Sequence, residues 1–596
     1  MKFNKLSVYF EKIEKTSSRL KITEYLSELF NNLSLEEIEK ASYLLQGRVA
    51  PLFERKEFGM AEKMVIKSAV LALNLDKKLF EKNYKKIGDI GKTVEYFKKQ
   101  IQSFDEKDLS ILDVYSDLRK LAIAGGEGSQ EIKINILANL IRQLDSLSAR
   151  YLIRIPLGVI RLGFSDMTVL DSFSWMVKGD KSFKTVIEKA YHVCPDLGLI
   201  GRIIKEKGIK GLQSIKPLVF TPIIMMRAER LSSGEEIIKQ IGKCAIEPKY
   251  DGFRLQVHFK TINSKKEVKL YSRSLDDVSY MYPDICEGVK QELNVSQAII
   301  EGEAIGFNRN TGSFLPFQET VQRKRKYDIG KKAKEIPLKL FVFELLYLNG
   351  KSYLDNSFTE RRQALSKIIK ASGDIHKDTL MLAPEDVIDN GRKIELSFDD
   401  AVTKGLEGII AKKLNGTYQP GARAWNWIKF KRSYSSKIED TIDCLVMGYD
   451  YGKGKRTKFG IGAFLVGVYD KKSDSYLTIA KIGTGLTDKE WRELKKKTEE
   501  LKCENRPSAY CVDKQMNVDV WIDPLLIVEI KADGITRSPT HTAGRIMKKT
   551  KTGKALEVDI AGYALRFPRL ESFRDDKRPE EATTLSELTK LYKRQR

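Results

Sequence analysis

The sequence predicts a multi-domain protein that joins an all-helical region to a mixed α/β domain and a small β-barrel of the OB type, and three observations lead there. The chain has 596 residues, too many for one hydrophobic core, so about three or four domains are expected. Near residue 216 the hydrophobic spacing changes from three-and-four to alternation, a change from helix period to strand period. Near residue 437 short alternating runs separated by glycines take over, which suits a small barrel. The expected segments are 1–215, 216–436 and 437–596.

In the first segment, "LSLEEIEKASYLL", "AEKMVIKSAVLALNL" and "SQEIKINILANLIRQL" repeat apolar residues along one helical face. Ser34, Gly59 and the stretch "AGGEGSQ" supply caps and turns. In the second, "FRLQVHF", "VKLYSR", "AIIEGEAIGF", "LKLFVFELLYLNG", "GIIAKK" and "WNWIKFKR" read as strands. In the third, "SSKIEDTIDCLVMGYD", "FGIGAFLVGVYD", "YLTIAKIGTG" and "LLIVEIKADGIT" are strands with glycine turns. The chain has no evident internal repeat and no low-complexity tract beyond the basic ending "KLYKRQR".

Composition narrows the function classes. Apolar residues at 42% and charged residues at 31% allow a packed core and argue against extended disorder. Lysine and arginine outnumber acids by 105 to 81, a formal charge of +24, and such a field draws polyanions, nucleic acid first among them. A basic surface with no such partner is the plain alternative. The six cysteines form no CxxC pair and only four histidines accompany them, so no structural zinc is expected and a reducing compartment is. His258 and His541 lack companion ligands and read as structural or surface residues. No apolar run reaches the ~18 residues of a membrane span, and the charged amino terminus is no secretion signal; a cytoplasmic protein with no membrane partner is expected.

The stretch "EPKYDGFRLQVHF" places Lys249 before a Tyr-Asp-Gly turn and an alternating strand. K-x-D-G alone is weak, since a lysine-rich chain can hold it by accident. Alternation puts Phe253, Leu255, Val257 and Phe259 on one face, expected to be buried, and Arg254, Gln256 and His258 on the other. In "WNWIKFK", Lys429 and Lys431 share a face opposite Ile428 and Phe430. In "AIIEGEAIGF", Glu301 and Glu303 share one with Ile299 and Ile305. Neighbouring strands carrying these pairs would line one cleft. A lysine nucleophile must shed its proton, which at pH 7 costs roughly 4 to 5 kcal/mol from an ordinary pKa of ~10.4. Cations such as Arg254, Arg273, Lys429 and Lys431 would ease that and would also balance a triphosphate. The combination suits phosphoryl or nucleotidyl transfer.

With these residues in hand, the chain resembles the ATP-dependent DNA ligases of the archaeal and eukaryotic replicative type. "EPKYDGFR" resembles the family's adenylation motif, "LYSRS" contributes Arg273, "EGEAIGF" Glu303, and "FVFELLYLNG" Phe343. "KGLEGIIAKK" contributes Glu407 and Lys412, and "RAWNWIKFK" contributes Arg423, Lys429 and Lys431. "FLPFQETVQRKRKYD" and "LRFPRLESFRDDKRPEEATT" are longer matches, the second with Arg574, Asp576 and Lys577 in an Arg-x-Asp-Lys pattern. "RYLIRIPLGVIRLGFSDMTVLDSFS" is similar to the family's amino-terminal DNA-binding helices.

The resemblance implies a DNA-binding domain at 1–215, an adenylation (nucleotidyltransferase) domain at 216–436 and an OB-fold domain at 437–596. It implies that Lys249 takes AMP as a phosphoramidate, with ATP and Mg²⁺ as cofactors. Glu247 would sit by the adenine, Arg254 by ribose or phosphates, and Phe343 would stack on the base. Arg273, Arg423, Lys429 and Lys431 would bind the nucleotide, Glu303 and Glu407 would hold the metal, and Arg574 and Lys577 would orient pyrophosphate. The implied partner is nicked duplex DNA, met through backbone contacts in replication, repair and recombination by a monomer associated with the nucleoid.

Two details depart from regularity. Glu407 and Lys412 have opposite parity, so a regular strand would send them to opposite faces unless one lies off it or a bulge intervenes. The sliding-clamp peptide is incomplete, with Gln102, Ser103 and Phe104 followed by Asp105 where a second aromatic is expected. Three other readings stand beside the main one. An RNA ligase or capping guanylyltransferase also uses lysine before x-Asp-Gly, and the long helical region and the "FRDDKRPEEATT" ending argue against both. The intact charged set argues against an inactive scaffold, and the missing four-cysteine module against a NAD⁺-dependent ligase. The run "RKRK" at 323–326 is either a solvated loop or a phosphate contact.

Overall fold

In a computed structural model, which describes all residues except 102–105, 310–311, 316, 326, 371, 405, 432–440, 453, 550–555 and 595–596, the amino-terminal region is built from helices running from Phe3–Glu14 to Leu197–Lys207. The first helix buries Phe3, Leu6, Phe10 and Ile13 at helical spacing. Helix Leu35–Leu44 starts where expected: Ser34 accepts from the Glu37 backbone N–H and the Glu37 carboxylate returns the bond, so two orphan donors are satisfied locally. Helices Glu62–Leu73 and Ser129–Gln143 follow the other two periodic runs. The described residues gather into two compact units, Met1–Arg432 and Ser433–Arg596, and the helices share the first with an α/β region.

That α/β region is made of two sheets. The strands in chain order are β1 (Arg227–Arg230), β2 (Cys244–Lys249), β3 (Phe253–Ile262), β4 (Lys265–Ser272), β5 (Gln297–Gly306), β6 (Leu338–Leu348), β7 (Lys351–Ser352), β8 (Leu380–Leu382), β9 (Asp386–Ile388), β10 (Gly408–Lys413) and β11 (Arg423–Lys431). One sheet has the order β1-β11-β10-β2-β9; the other runs β4-β3-β5-β6-β7, with β8 beside β6. Each packs one face on helices. Cys244, Ile246, Ile409, Ala411, Ile428 and Phe430 join residues of helices Gly234–Ile241 and Gly391–Thr403 in one core. Leu255, Val257, Phe259, Ala298, Ile300 and Ala304 join residues of Pro283–Glu292 and Phe358–Ile368 in another. The other faces turn toward each other, with Ile299 and Leu346 of one sheet packed with Trp427 of the other.

This arrangement corrects two expectations. Both faces of β3 are buried, because Gln256 and His258 lie within the molecule as fully as Val257 does. And the paired lysines and paired acids do not sit on neighbouring strands: Lys429 is on the first sheet, while Glu301 and Glu303 are on the second. What links them is Lys249, which feels Lys429 on its own sheet and Glu303 across the gap. Strand period fixes only which residues share a face; the pairing of strands into two sheets decides the rest.

The second unit is β-rich. The strands β12 (Ile442–Tyr451), β13 (Ile461–Asp470) and β14 (Ser475–Ile482) form an antiparallel meander within an eight-stranded sheet whose core includes Val446, Phe464, Ile479 and Trp491. Gly448 is required at the β12 bulge, because a Cβ there would lie 2.5 Å from the Val520 carbonyl oxygen. Among the described residues no helix is long and apolar enough to cross a membrane.

Candidate active site

The face of β2 that turns toward the second sheet carries Glu247 and Lys249, the matching face of β10 carries Lys412, and that of β11 carries Trp427 and Lys429. Opposite them, β3 offers Arg254, β5 Glu301 and Glu303, and β6 Phe343. Alternation alone therefore delivers the charged set to one cleft once the two sheets face each other.

Lys249 ends β2, paired in register with Gly408, and its ammonium forms an ion pair with Glu407. The Glu407 backbone N–H also donates to the Lys249 carbonyl oxygen at 3.0 Å. Glu407 lies just before β10 begins at Gly408, so its parity relative to Lys412 is free, and the two serve different ends of the cleft. After Lys249 the chain turns through Tyr250-Asp251-Gly252 and passes close over β5. A Cβ on Gly252 would lie 2.3 Å from the Ala304 carbonyl oxygen, so the glycine of the motif is needed to bring the lysine against Glu303.

The electrostatics are uneven. Burial pushes the Glu303 carboxyl up to about 7, against the opposing pull of Lys249 and Arg254 and with help from Asp251. Burial pushes the Lys429 ammonium down to about 8, helped by the charges of Arg230, Lys249, Arg423 and Arg273. Arg273 and Arg423 themselves are exposed, at the open side of this field. Carboxylates held up and a lysine held down mark a site short of counter-charge.

Deeper in, Lys412 donates to Glu247 Oε2 at 2.8 Å and to the Phe343 carbonyl oxygen at 2.8 Å, with its ammonium over the rings of Phe343 and Trp427. Burial raises the Glu247 carboxyl, opposed by Lys412 and Arg362. The half-buried Phe343 meets Trp427 edge-on at 6.0 Å. Arg254 donates to Glu301 at 2.5 Å, to the Met226 carbonyl oxygen at 2.9 Å and to the Tyr418 hydroxyl at 3.3 Å. The Tyr418 hydroxyl donates to Glu301 at 3.0 Å. Glu301 is thus committed to Arg254, Tyr418 and Gln256, which leaves Glu303 as the carboxylate of β5 that faces Lys249.

His258 is a brace as well. Its Nδ1 accepts from the Phe220 backbone N–H and its Nε2 contacts Gln256 Oε1, both at 2.9 Å; burial holds it neutral, with its pKa pushed down to about 3. Burial likewise takes His541 down to about 4, and among the described residues no cluster of three metal-ligating side chains exists. Arg323 of the basic run is neither solvated nor free for phosphate: it is buried and donates twice to Asp284 at 2.8 Å. Lys431 continues β11 opposite Gly408, but its side chain lies outside the described residues, as do Gln102, Ser103, Phe104 and Asp105 of the clamp-like peptide.

Arg574 and Lys577 belong to the second unit. There Arg574 forms a fork on Asp576 at 2.8 and 2.7 Å, and Asp443 accepts from Arg574 at 3.2 Å and from Lys577 at 2.5 Å. Tyr418 and Arg362 carry no local sequence signal that marks them for this cleft, and Trp427 lies in the quoted stretch "WNWIKFK" without being singled out there. Only the Arg361-Arg362 doublet, unusual on a helix face that packs inward, could have drawn attention.

Comparison with known proteins shows the family of the chain. A family model described as ATP dependent DNA ligase domain matches residues 225–431, one described as DNA ligase N terminus matches 2–174, and one described as ATP dependent DNA ligase C terminal region matches 457–577. The "Probable DNA ligase" of Dictyoglomus turgidum is 44% identical over 597 residues, covering 100% of this chain and 98% of its own. "DNA ligase 2" of Thermofilum pendens is 39% identical over 610 residues, with the same coverage of 100% and 98%. A solved structure titled "Pmar-Lig_PreS3" shares the fold at a TM-score of 0.53 and 17% identity, covering 95% of this chain and 99% of that one.

Proposed function

Since this chain belongs to the ATP-dependent DNA ligases, we propose that Lys249 is the nucleophile through which it uses ATP to seal nicks in duplex DNA. The Lys249 amine attacks the α-phosphate, a P–N bond forms and pyrophosphate leaves. AMP then passes to the 5′-phosphate of the nick, and the 3′-hydroxyl displaces AMP as the phosphodiester closes. The observation that carries this reading is that Lys249, Glu303, Glu407 and Lys429 converge between two facing sheets.

In this geometry Lys249 is the cation of an ion pair, so Glu407 must release it before the amine can attack. Lys429, with its depressed pKa and its neighbours Arg273 and Arg423, is placed to balance phosphate charge as it develops. Glu303 and Glu407 would hold a Mg²⁺ ion. Two hard carboxylates suit that ion when phosphates complete its shell, and Glu303, whose pKa burial raises against the pull of Lys249 and Arg254, would be favoured in its ionised form by such an ion. When bound, the metal would neutralise phosphate oxygens. Glu247 is assigned to the adenine and Phe343 to stacking on it, with Arg254 and Lys431 toward ribose and phosphates. Arg574 and Lys577 are assigned to pyrophosphate.

The same proposal divides the chain into a DNA-binding segment 1–215, an adenylation segment 216–436 and an OB-fold segment 437–596; the meander of β12, β13 and β14 supports the last. It includes a monomer in the cytoplasm near the nucleoid, sliding-clamp contact through the incomplete peptide, and duplex contacts made through the phosphate backbone, weakening steeply with salt. The test is the mass of the protein after incubation with ATP. Wild-type protein should gain a lysine-borne AMP and Lys249→Ala should gain none; an adduct that persists in the variant assigns the nucleophile elsewhere.

A further inference from the structure

At the inner end of the cleft two buried polar atoms of opposite kind stand side by side without hydrogen-bond partners among the described residues. Glu247 is 3% exposed and Arg362 8%. Lys412 holds Glu247 Oε2, and Oε1 has no hydrogen-bond partner among the described residues. Arg362 is anchored by Nη2 on the Ala383 carbonyl oxygen and by Nε against Glu385 at 3.3 Å, which leaves Nη1 without one. Oε1 and Nη1 are 3.9 Å apart, close enough for attraction and too far for a hydrogen bond. They do not close that gap because each side chain is pinned elsewhere. A buried donor and acceptor left unmade are costly, so two adjacent ones invite a ligand edge with the complementary pair.

We propose that Arg362 is a specificity-determining residue: its Nη1 donates to an adenine ring nitrogen flanking the 6-amino group, while Glu247 Oε1 accepts from that amino group. This rests on the reading of Glu247 as the adenine-side residue. An adenine presents an amino donor beside an acceptor nitrogen, the complement of a carboxylate oxygen beside a guanidinium N–H. Guanine presents an oxygen acceptor where adenine has the donor, so a carboxylate aligned there meets a lone pair instead. The register is set by the tether: Glu247 and Lys249 lie two residues apart on one strand face, about 7 Å along the strand, so a nucleotide joined to Lys249 cannot slide to swap the two contacts. Lys412 determines which Glu247 oxygen remains for the base.

The experiment compares formation of the lysyl-nucleotide adduct with ATP, 1-deaza-ATP, 7-deaza-ATP and GTP in wild-type protein, Arg362→Met and Arg362→Lys. Wild type should lose about ten-fold or more in rate with one of the two deaza analogues and should discriminate strongly against GTP. Arg362→Met should react more slowly with ATP and show no further loss with that analogue, and Arg362→Lys should restore part of the difference. Equal analogue penalties in wild type and Arg362→Met would make Arg362 a structural brace and overturn the proposal. Should the methionine variant fail to fold, full-rate labelling of wild type by both deaza analogues overturns it equally. If ATP itself leaves no adduct on Lys249, it is the broader reading of the site that fails.

Discussion

Charge is buried in two regions of the first unit and treated in opposite ways. Among the helices, Arg154 is 2% exposed and donates to Glu14 and Asp89 at 2.8 Å each. Arg150 and the Tyr151 hydroxyl add bonds to Glu14 at 2.7 and 2.8 Å. Burial alone would raise Glu14, but Arg154, Arg150 and Tyr151 carry it down to about 2; Asp89 is lowered likewise, Arg154 overcoming its burial. Between the sheets the balance reverses, with Glu303 pushed up to about 7 and Glu247 raised despite Lys412. The helical cluster brings its own counter-charge and serves folding. The cleft leaves its carboxylates under-compensated, the electrostatic mark of a candidate functional site.

The two regions should therefore respond differently to substitution. Arg154→Met leaves Glu14 and Asp89 buried without their main partner and should cost about 3 to 5 kcal/mol, read from denaturant midpoints; a loss under 1 kcal/mol would mean the cluster is not compensated as described. Glu303→Gln should leave stability within about 1 kcal/mol of wild type while slowing lysyl-AMP formation on the order of a hundred-fold. A protein that melts early instead would turn Glu303 into a structural residue.

Acidity sharpens the contrast, because the signs differ. Glu14, depressed from 4.5 to about 2, contributes stability that is present above the ordinary carboxylate range and lost as pH falls toward 2. Glu303, raised from 4.5 to about 7, contributes stability present below the ordinary range and lost as pH rises through about 7. Adenylation in turn should climb as pH rises through that same value, since the proposed role of Glu303 in holding a cation needs its ionised form; a flat profile in wild type, or an unchanged limb in Glu303→Gln, would contradict this. The smallest effect is expected in the second unit. Arg574→Ala or Lys577→Ala should slow adenylation by roughly ten-fold more than sealing of pre-adenylated nicks, and equal losses in both assays would remove the pyrophosphate role.

Much of this was legible in the amino-acid order. Periodicity located the helices and strands, the Ser34 cap gave a helix start, and the spacing of Lys249, Glu303, Glu407 and Lys429 in a family-like series named the chemistry, because strand period and motif spacing are local properties. The packing partners were not legible. Nothing around β3 says that a second sheet will cover Gln256 and His258, that Arg323 will sink onto Asp284, or that Glu301 will be spent on Arg254 and Tyr418 while Glu303 stays available.

By itself, then, the sequence determined most elements, which residues share a strand face, the candidate nucleophile and the family. Tertiary structure alone decided that lysines and acids meet across two sheets, and which buried charges are satisfied. It also set Arg362 beside Glu247 from 115 positions away. The reason is physical: side-chain direction along a strand follows from its immediate neighbours, whereas the energy of a buried charge depends on whatever distant groups the fold brings within a few ångströms of it.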